Sequence, residues 1–264
     1  MKPIYIPTFL TPVSISLIEE ELLALQWETK RTARHEYFMS DGKKCTNTEC
    51  SYGLLTTLND DTGLPAECTV CDENGRMPVE YSYGQYGADI TYTSKPWSHY
   101  ANGLRHNLIQ ELAHVPEARM PDGKPCFFNG CFLNMYDDEK QFLGWHADDF
   151  AGMDPQAPIV VMSFGAEREI WVKRQFQTCP DCEGDCVIQK ADKGGEFVDE
   201  SCIRCHEQGV VPVTGIVPTK DRYLLQRGSV FIMPAGFQEA MFHRIPKHPA
   251  PCGWRISLTF RKFL

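Results

Sequence analysis

Apolar positions divide the chain into a partly helical N-terminal portion and a strand-rich C-terminal portion. Residues 4–10 read as a short strand. Ser16-Leu17-Ile18-Glu19 has the form of a capping box, and Leu17, Ile18, Leu22 and Leu25 share one helical face, which predicts a helix ending near Trp27. A second helix is predicted from about Trp97 to Leu112. After Pro125, short apolar runs recur at 127–136, 159–164, 169–172, 230–233 and 256–260, with Gly, Pro and Asp clusters between them, as in a β-protein.

Two stretches break this pattern. Residues 43–77 carry Cys45, Cys50, Cys68 and Cys71 among small polar residues, and residues 175–222 carry Cys179, Cys182, Cys186, Cys202 and Cys205. Polar segments with so few large apolar residues need something other than a core to hold them. Cys179-x2-Cys182 with Cys202-x2-Cys205 is the paired-knuckle spacing of a four-thiolate structural zinc. Cys45-x4-Cys50 with Cys68-x2-Cys71 is looser but also suits zinc. One shared site, or disulfides in an oxidising setting, are the alternatives. Cys186 and His206 are spare ligands near the second cluster, whereas Cys126, Cys131 and Cys252 show no pairing pattern and read as small buried hydrophobes.

The 264 residues include 42% hydrophobic and 23% charged side chains, enough for a real core. A net charge of -9 argues against nonspecific coating of nucleic acid but is compatible with a local basic face, such as Lys30, Arg31, Arg34 and His35. No apolar run approaches the roughly 20 residues of a membrane span. The N-terminal residues lack a secretory pattern. The expectation is a monomeric protein with no membrane association, cytoplasmic or, in a eukaryote, nuclear, whose cysteines are ligands or thiols rather than disulfides.

Candidate chemistry enters with Trp145-His146-Ala147-Asp148 and the distant His243. An H-x-D at a strand end points both side chains to one side. Two imidazoles and one carboxylate on one face of a metal suit non-haem Fe(II) and oxygen chemistry. By itself H-x-D is a weak signal. The last strand adds to it, because Arg255, Ser257, Thr259 and Arg261 alternate with Ile256, Leu258 and Phe260. Two inward arginines require anionic partners, which a dicarboxylate supplies. An edge strand with solvated arginines is the alternative.

Taken together these segments resemble the AlkB-like Fe(II)/2-oxoglutarate dioxygenases. The resemblance runs through Phe128-Asn129, Leu133-Asn134-Met135-Tyr136, Gly144 to Asp148, Pro158-Ile159, Ser163 to Arg168, Gly228 to Met233, His243-Arg244-Ile245-Pro246 and Arg255 to Arg261. Tyr81-Ser82-Tyr83-Gly84 and Pro96-Trp97 resemble the nucleotide-recognition lid. It implies a double-stranded β-helix (jelly-roll) core with flanking helices, one dioxygenase domain over 1–264, and cysteine-rich inserts at 43–77, in the lid region, and 175–222. It implies iron on His146, Asp148 and His243, and 2-oxoglutarate gripped at its distal carboxylate by Arg255. Arg261 and Asn134 would hold the keto-acid end, with Tyr136 and Thr259 assisting. Tyr81, Tyr83, Tyr86 and Asp149 would meet substrate; Phe150 stands where some relatives carry Glu.

The implied activity is O2-dependent oxidative demethylation of alkylated bases in DNA or RNA, releasing formaldehyde, succinate and CO2. A target inside a duplex must be flipped out to react. A nucleobase hydroxylase with a stable product, a protein or small-molecule hydroxylase, and a catalytically silent zinc-ribbon binding module are the competing readings.

Overall fold

The computed structural model describes residues 2–31, 33–45, 76–83, 90–148, 152–179, 181–183, 187–191, 197–206, 208, 210–212 and 221–264. In chain order these form β1 (Ile4–Ile6), α1 (Pro12–Leu23), β2 (Glu28–Arg31), β3 (Arg34–Ser40), β4 (Lys43–Lys44), β5 (Arg76–Met77), β6 (Glu80–Tyr83), β7 (Ile90–Thr93) and α2 (His99–Glu111). Next come β8 (Gly130–Tyr136), β9 (Leu143–His146), β10 (Ile159–Gly165), β11 (Arg168–Arg174), β12 (Phe176–Thr178), β13 (Val187–Ala191), β14 (Phe197–Ser201) and β15 (Val210–Pro212). The chain closes with β16 (Asp221–Leu225), β17 (Val230–Met233), α3 (Phe237–Ala240), β18 (Met241–Ile245) and β19 (Arg255–Arg261).

Two antiparallel sheets face each other, as in a double-stranded β-helix. The larger has the order β1-β17-β10-β19-β8-β3-β2, and the smaller β16-β11-β18-β9. One face of the large sheet packs under α1 and α2 through Ile15, Ile18, Leu22, Leu104 and Leu108, which meet Ile256, Leu258 and Phe260 of β19. The opposite face carries Tyr136, Val161 and Phe231 against Ile170, Val172 and Ile245 of the small sheet. A residue slip on β19 would exchange these two faces, so its alternation fixes its register.

β19 lies between β10 and β8, and all seven of its residues are buried. The edge-strand alternative is therefore excluded, and both arginines point into the space between the sheets. The chain leaves the large sheet for the small one at Gly165, whose φ is 75°. A Cβ there would sit 2.4 Å from the Trp254 carbonyl oxygen, so this turn requires glycine.

Local signals near the N-terminus misplaced two elements. The first strand stops at Ile6, short of residue 10. The helix begins at Pro12, capped by the Thr11 hydroxyl, which accepts from the Ser14 amide at 3.3 Å; Ser16 and Glu19 form no capping box. Its buried face is Ile15, Ile18, Glu19 and Leu22, while Leu17 is 42% exposed. The second helix and the five apolar strands fall close to their predicted positions.

Glu19 has a long-range role instead. Its carboxylate accepts from the Gly165 amide at 2.9 Å and from Arg227 Nε at 2.7 Å, tying α1 to the turn between the sheets. Burial opposes its ionisation, but the Arg227 hydrogen bond and charge prevail and hold its pKa below 4.5. We expect Glu19→Ala to cost about 1–3 kcal/mol in chemical denaturation, because it strips charged hydrogen bonds from a buried amide and a guanidinium. Since the folded-state pKa is depressed, this contribution is present above pH 4.5 and declines as pH falls below it. Ser16→Ala should change little.

Candidate active site

β9 and β18 pair so that His146 stands directly opposite His243, and their ring centroids are 4.1 Å apart. Asp148 follows two residues beyond the end of β9. His146 Nε2 lies 3.6 Å from one Asp148 oxygen and His243 Nε2 lies 3.8 Å from the other. One ligand atom from each of the three falls within 4.8 Å of the others. His146 Nδ1 bonds to the Gly144 carbonyl oxygen at 2.9 Å. That contact assigns the ring proton to Nδ1 and leaves Nε2 as the lone-pair donor toward the cluster.

Protonation states agree with a metal-binding role. Burial, aided by His146, pushes His243 down to about 3, against the pull of Asp148. Burial likewise lowers His146. For Asp148 burial opposes ionisation, yet Arg261, followed by the two histidines, holds the carboxyl well below the usual range. Neutral imidazoles beside an ionised carboxylate are the forms that coordinate a cation. Their short separations are therefore contacts of converging lone pairs rather than histidine ion pairs.

Beside this cluster the β19 arginines behave differently from each other. Arg261 Nη2 donates to Asp148 at 2.7 Å and its Nη1 to the Tyr81 hydroxyl at 3.0 Å. Arg255 is fully buried, and its Nε donates to Ser163 Oγ at 2.9 Å. Both of its terminal nitrogens, and the nearby Tyr136 hydroxyl, are buried with no hydrogen-bond partner among the described residues. The guanidinium carbon lies 5.4 Å from the Tyr136 ring centroid, an electrostatic contact that falls short of hydrogen-bond geometry. Burial, with the Arg168 charge, pushes Arg255 down to about 10, so it remains a cation at neutral pH. An enclosed guanidinium with two idle donors is a cradle for a carboxylate. Ser257 and Thr259 share this face of β19, and Thr259 is buried.

Other predicted residues divide clearly. Asn134 is buried, and its Oδ1 accepts from Arg34 Nε at 2.7 Å; Arg34 also pairs with Glu36 at 2.7 Å. Arg34 is thus an interior residue, not a phosphate contact. Lys30 pairs with Glu28 at 2.7 Å and His35 with Asp137 at 2.6 Å, so much of the basic stretch is neutralised locally. Tyr81 is 5% exposed, packed among Phe38, Phe132 and Phe263 with its hydroxyl on Arg261. It supports the site wall rather than offering a stacking face. Trp97 stacks on Phe260 at 6.2 Å and belongs to the core packing. Tyr83 lies in β6; Tyr86, Asp149 and Phe150 fall outside the described residues.

Several contributors had no sequence signal. Gln238 Oε1 accepts from the Asp148 amide at 2.8 Å, fixing the loop that carries the carboxylate. Ser163 orients Arg255 from the neighbouring strand β10. Arg34 and Glu36 were legible in part, since they alternate on one face of a strand, the same period that exposed Arg255 and Arg261.

In the second cysteine-rich stretch, Cys179, Cys182, Cys202 and Cys205 are buried with their sulfurs within 4.8 Å of one another. Cys179 and Cys202 sulfurs are 3.7 Å apart, and those of Cys182 and Cys205 3.6 Å. A disulfide would need about 2.05 Å, whereas thiolates about 2.3 Å from one tetrahedral zinc would stand about 3.8 Å apart. The two knuckles repeat one geometry. Glu183 and His206, each just after a second cysteine, have φ of 51° and 48°. The equivalent positions Asp181 and Arg204 pair across the cluster at 2.8 Å. His206 is exposed and outside the cluster. Cys45 is half-buried, while Cys50, Cys68, Cys71 and Cys186 lie outside the described residues. Cys126 and Cys131 are buried as expected, and burial pushes the Cys126 thiol up to about 12; Cys252 is only half-buried.

The comparisons agree with this geometry. The family model described as the 2OG-Fe(II) oxygenase superfamily matches residues 4–261, and the chain belongs to that superfamily. Within it the chain is similar to AlkB homologues. It is 28% identical over 137 residues to "DNA oxidative demethylase ALKBH2" of Arabidopsis thaliana, a match covering 52% of this chain and 38% of the relative. Against "Alpha-ketoglutarate-dependent dioxygenase alkB homolog 3" of Homo sapiens it is 24% identical over 188 residues, or 71% of this chain and 49% of the relative. The match therefore spans less than half the length of these two proteins. Among solved structures, "The structure of OsALKBH1" aligns over 98% of this chain and 97% of that one, with 14% identity and a TM-score of 0.49.

The sulfur geometry generates a prediction. Elemental analysis should find zinc bound to the purified chain and lost, along with the packing of Val211 against the cysteines, in Cys202→Ser. Limited proteolysis should then cleave in the 175–222 segment while the jelly-roll core persists. Zinc content unchanged in Cys202→Ser would contradict the assignment.

Proposed function

We propose that this chain is an Fe(II)/2-oxoglutarate-dependent dioxygenase that oxidatively demethylates N-alkylated bases in DNA or RNA. The observation that carries the reading is the pairing of two features that β19 links, since its Arg261 bonds the Asp148 of one and its Arg255 is the other. A His146–Asp148–His243 cluster presents convergent donors, and on β19 Arg255 holds two donors with no hydrogen-bond partner among the described residues, suited to a carboxylate. The curated relatives named as demethylases and dioxygenases support the reaction class.

Iron would be held by His146, Asp148 and His243. When bound, iron with 2-oxoglutarate and O2 supplies the oxidising power to hydroxylate an N-methyl carbon, with succinate and CO2 as coproducts and formaldehyde released. The protein's own part is placement. Arg255 takes the distal carboxylate, with Tyr136 and Thr259 lining the same side. Arg261 keeps Asp148 ionised and oriented and, with Asn134, borders the keto-acid end. Tyr81 braces Arg261, and Gln238 braces the Asp148 loop. Enclosure between the two sheets excludes water and fixes the cosubstrate's direction.

The same reading takes residues 1–264 as one domain with inserts at 43–77 and 175–222, the second closed by zinc. Asp149, Tyr83 and Tyr86 remain proposed substrate contacts.

The direct test is incubation with Fe(II), 2-oxoglutarate, O2 and N-methylated oligonucleotides, with formaldehyde, succinate and the base mass all measured. Formaldehyde equimolar with restored base is expected. A stable hydroxylated base, or succinate with no change in any oligonucleotide, would overturn the demethylase reading. His146→Ala and Asp148→Ala should lose turnover by at least about 1,000-fold while keeping the β-rich circular dichroism spectrum, since a missing ligand removes the metal rather than the core. Activity near wild type in either would contradict the metal assignment.

A further inference from the structure

A cavity of about 810 Å³ lies away from the metal cluster. It lies on the outer face of the small sheet, where β9, β11, β16 and β18 present the side chains that alternate with those pointing at the site. Strand pairing sets Trp171 between Arg222 of β16 and Arg244 of β18. The guanidinium carbons lie 4.3 Å and 4.1 Å from the Trp171 ring centroid. Arg244 also reaches Trp145 at 4.9 Å, and Lys173 approaches the same ring at 4.9 Å. Cations and indoles thus alternate in one row across four strands.

Charge on this face is unbalanced. Arg222, Arg244, Lys247 and His248 line the groove above the buried Arg168, whose guanidinium is held by the Asp138, Gln141 and Pro246 carbonyls, and Glu169 is the acidic member. That carboxylate is taken by the Trp171 indole N–H at 2.6 Å. Arg222, Arg244, Lys173 and Lys247 form no ion pair with any described residue. Arg244 Nε is buried with no hydrogen-bond partner among the described residues, and burial with the Arg222 charge draws Arg244 below the usual guanidinium range. In a chain of net charge -9, a row of clustered, unneutralised cations calls for an external anion. The exposed rings and apolar groups beside it, Phe142 at 40% and Leu224 at 46%, call for a flat apolar partner as well.

We propose that this groove is a second binding site, for single-stranded nucleic acid, on the face of the small sheet opposite the metal cluster. Phosphates meet Arg222, Arg244 and Lys247, and bases stack on the exposed Phe142 ring and on the outward plane of the exposed Arg222 guanidinium. Alternating π-faces and cations are the means by which proteins hold single strands without reading sequence. The inference goes beyond the reaction proposed above, since it concerns an unmodified strand at a surface that touches no reacting atom.

The test uses the full chain without added iron or 2-oxoglutarate. Its probe is an unmodified, fluorescein-labelled oligothymidylate of about 15 nucleotides, read by anisotropy over a salt series. Arg222→Glu with Lys247→Glu should weaken binding at least about tenfold and flatten the log–log salt slope by about 1.4, two phosphate contacts' worth. Phe142→Ala should weaken binding roughly 5- to 100-fold, with Phe142→Tyr close to wild type, as stacking requires. Formaldehyde release from a short methylated trinucleotide should be unchanged in the charge-reversal variant. Unchanged affinity and slope in that variant would overturn the proposal. Equal binding of an abasic strand, or tighter binding of a polyglutamate peptide, would overturn it too. Loss of oligothymidylate binding in these variants, in a protein that never releases formaldehyde, would keep the groove and reject only the reaction.

Discussion

Two buried guanidiniums on one strand set the terms for this molecule. β19 places Arg255 and Arg261 between the sheets, where an uncompensated charge is costly. Arg261 is answered from within, by Asp148 and Tyr81. Arg255 bonds a serine hydroxyl through Nε, and its outer nitrogens are buried with no hydrogen-bond partner among the described residues. This asymmetry gives the site its logic. One arginine holds the Asp148 carboxylate in its ionised form, and the other, in the proposed reading, reserves a place for the carboxylate of a cosubstrate. The rest of the jelly roll keeps them in register, with Ile256, Leu258 and Phe260 anchoring the opposite face in the helix-covered core.

The same sheet logic explains how one scaffold presents two chemistries. Along β18, Met241, His243 and Ile245 turn inward while Phe242 and Arg244 turn outward. β9 places His146 inside and Trp145 on the outer groove. A period of two therefore gives a converging ligand cluster on one face of the small sheet and a cation–indole row on the other.

The parts legible in the sequence were those encoded by short spacing. H-x-D, the alternation of residues 255–261 and the two C-x-x-C pairs each bring their groups together through local geometry alone, and each is assembled in the structure. What escaped depended on distant pairing. Ser163 meets Arg255, Gln238 meets the Asp148 amide and Tyr81 meets Arg261 only because strands and loops far apart in sequence become neighbours. Arg34 looked like a surface cation because it sits in a basic run; its strand period, shared with Glu36, turns it inward onto Asn134. Ser16 and Glu19 matched a capping pattern, but Thr11-Pro12 starts the helix a turn earlier and frees Glu19 for Arg227.

The central claim is that Arg255 is kept unpartnered for a distal carboxylate. It is tested most directly by calorimetric binding of 2-oxoglutarate and of 2-oxobutyrate, which lacks that carboxylate, to the Mn(II)-loaded wild type and to Arg255→Met. The wild type should prefer 2-oxoglutarate by at least about tenfold, the value of one charge-assisted pair, and Arg255→Met should bind the two alike. An equal preference in both proteins would mean that the carboxylate is held elsewhere and would contradict the account.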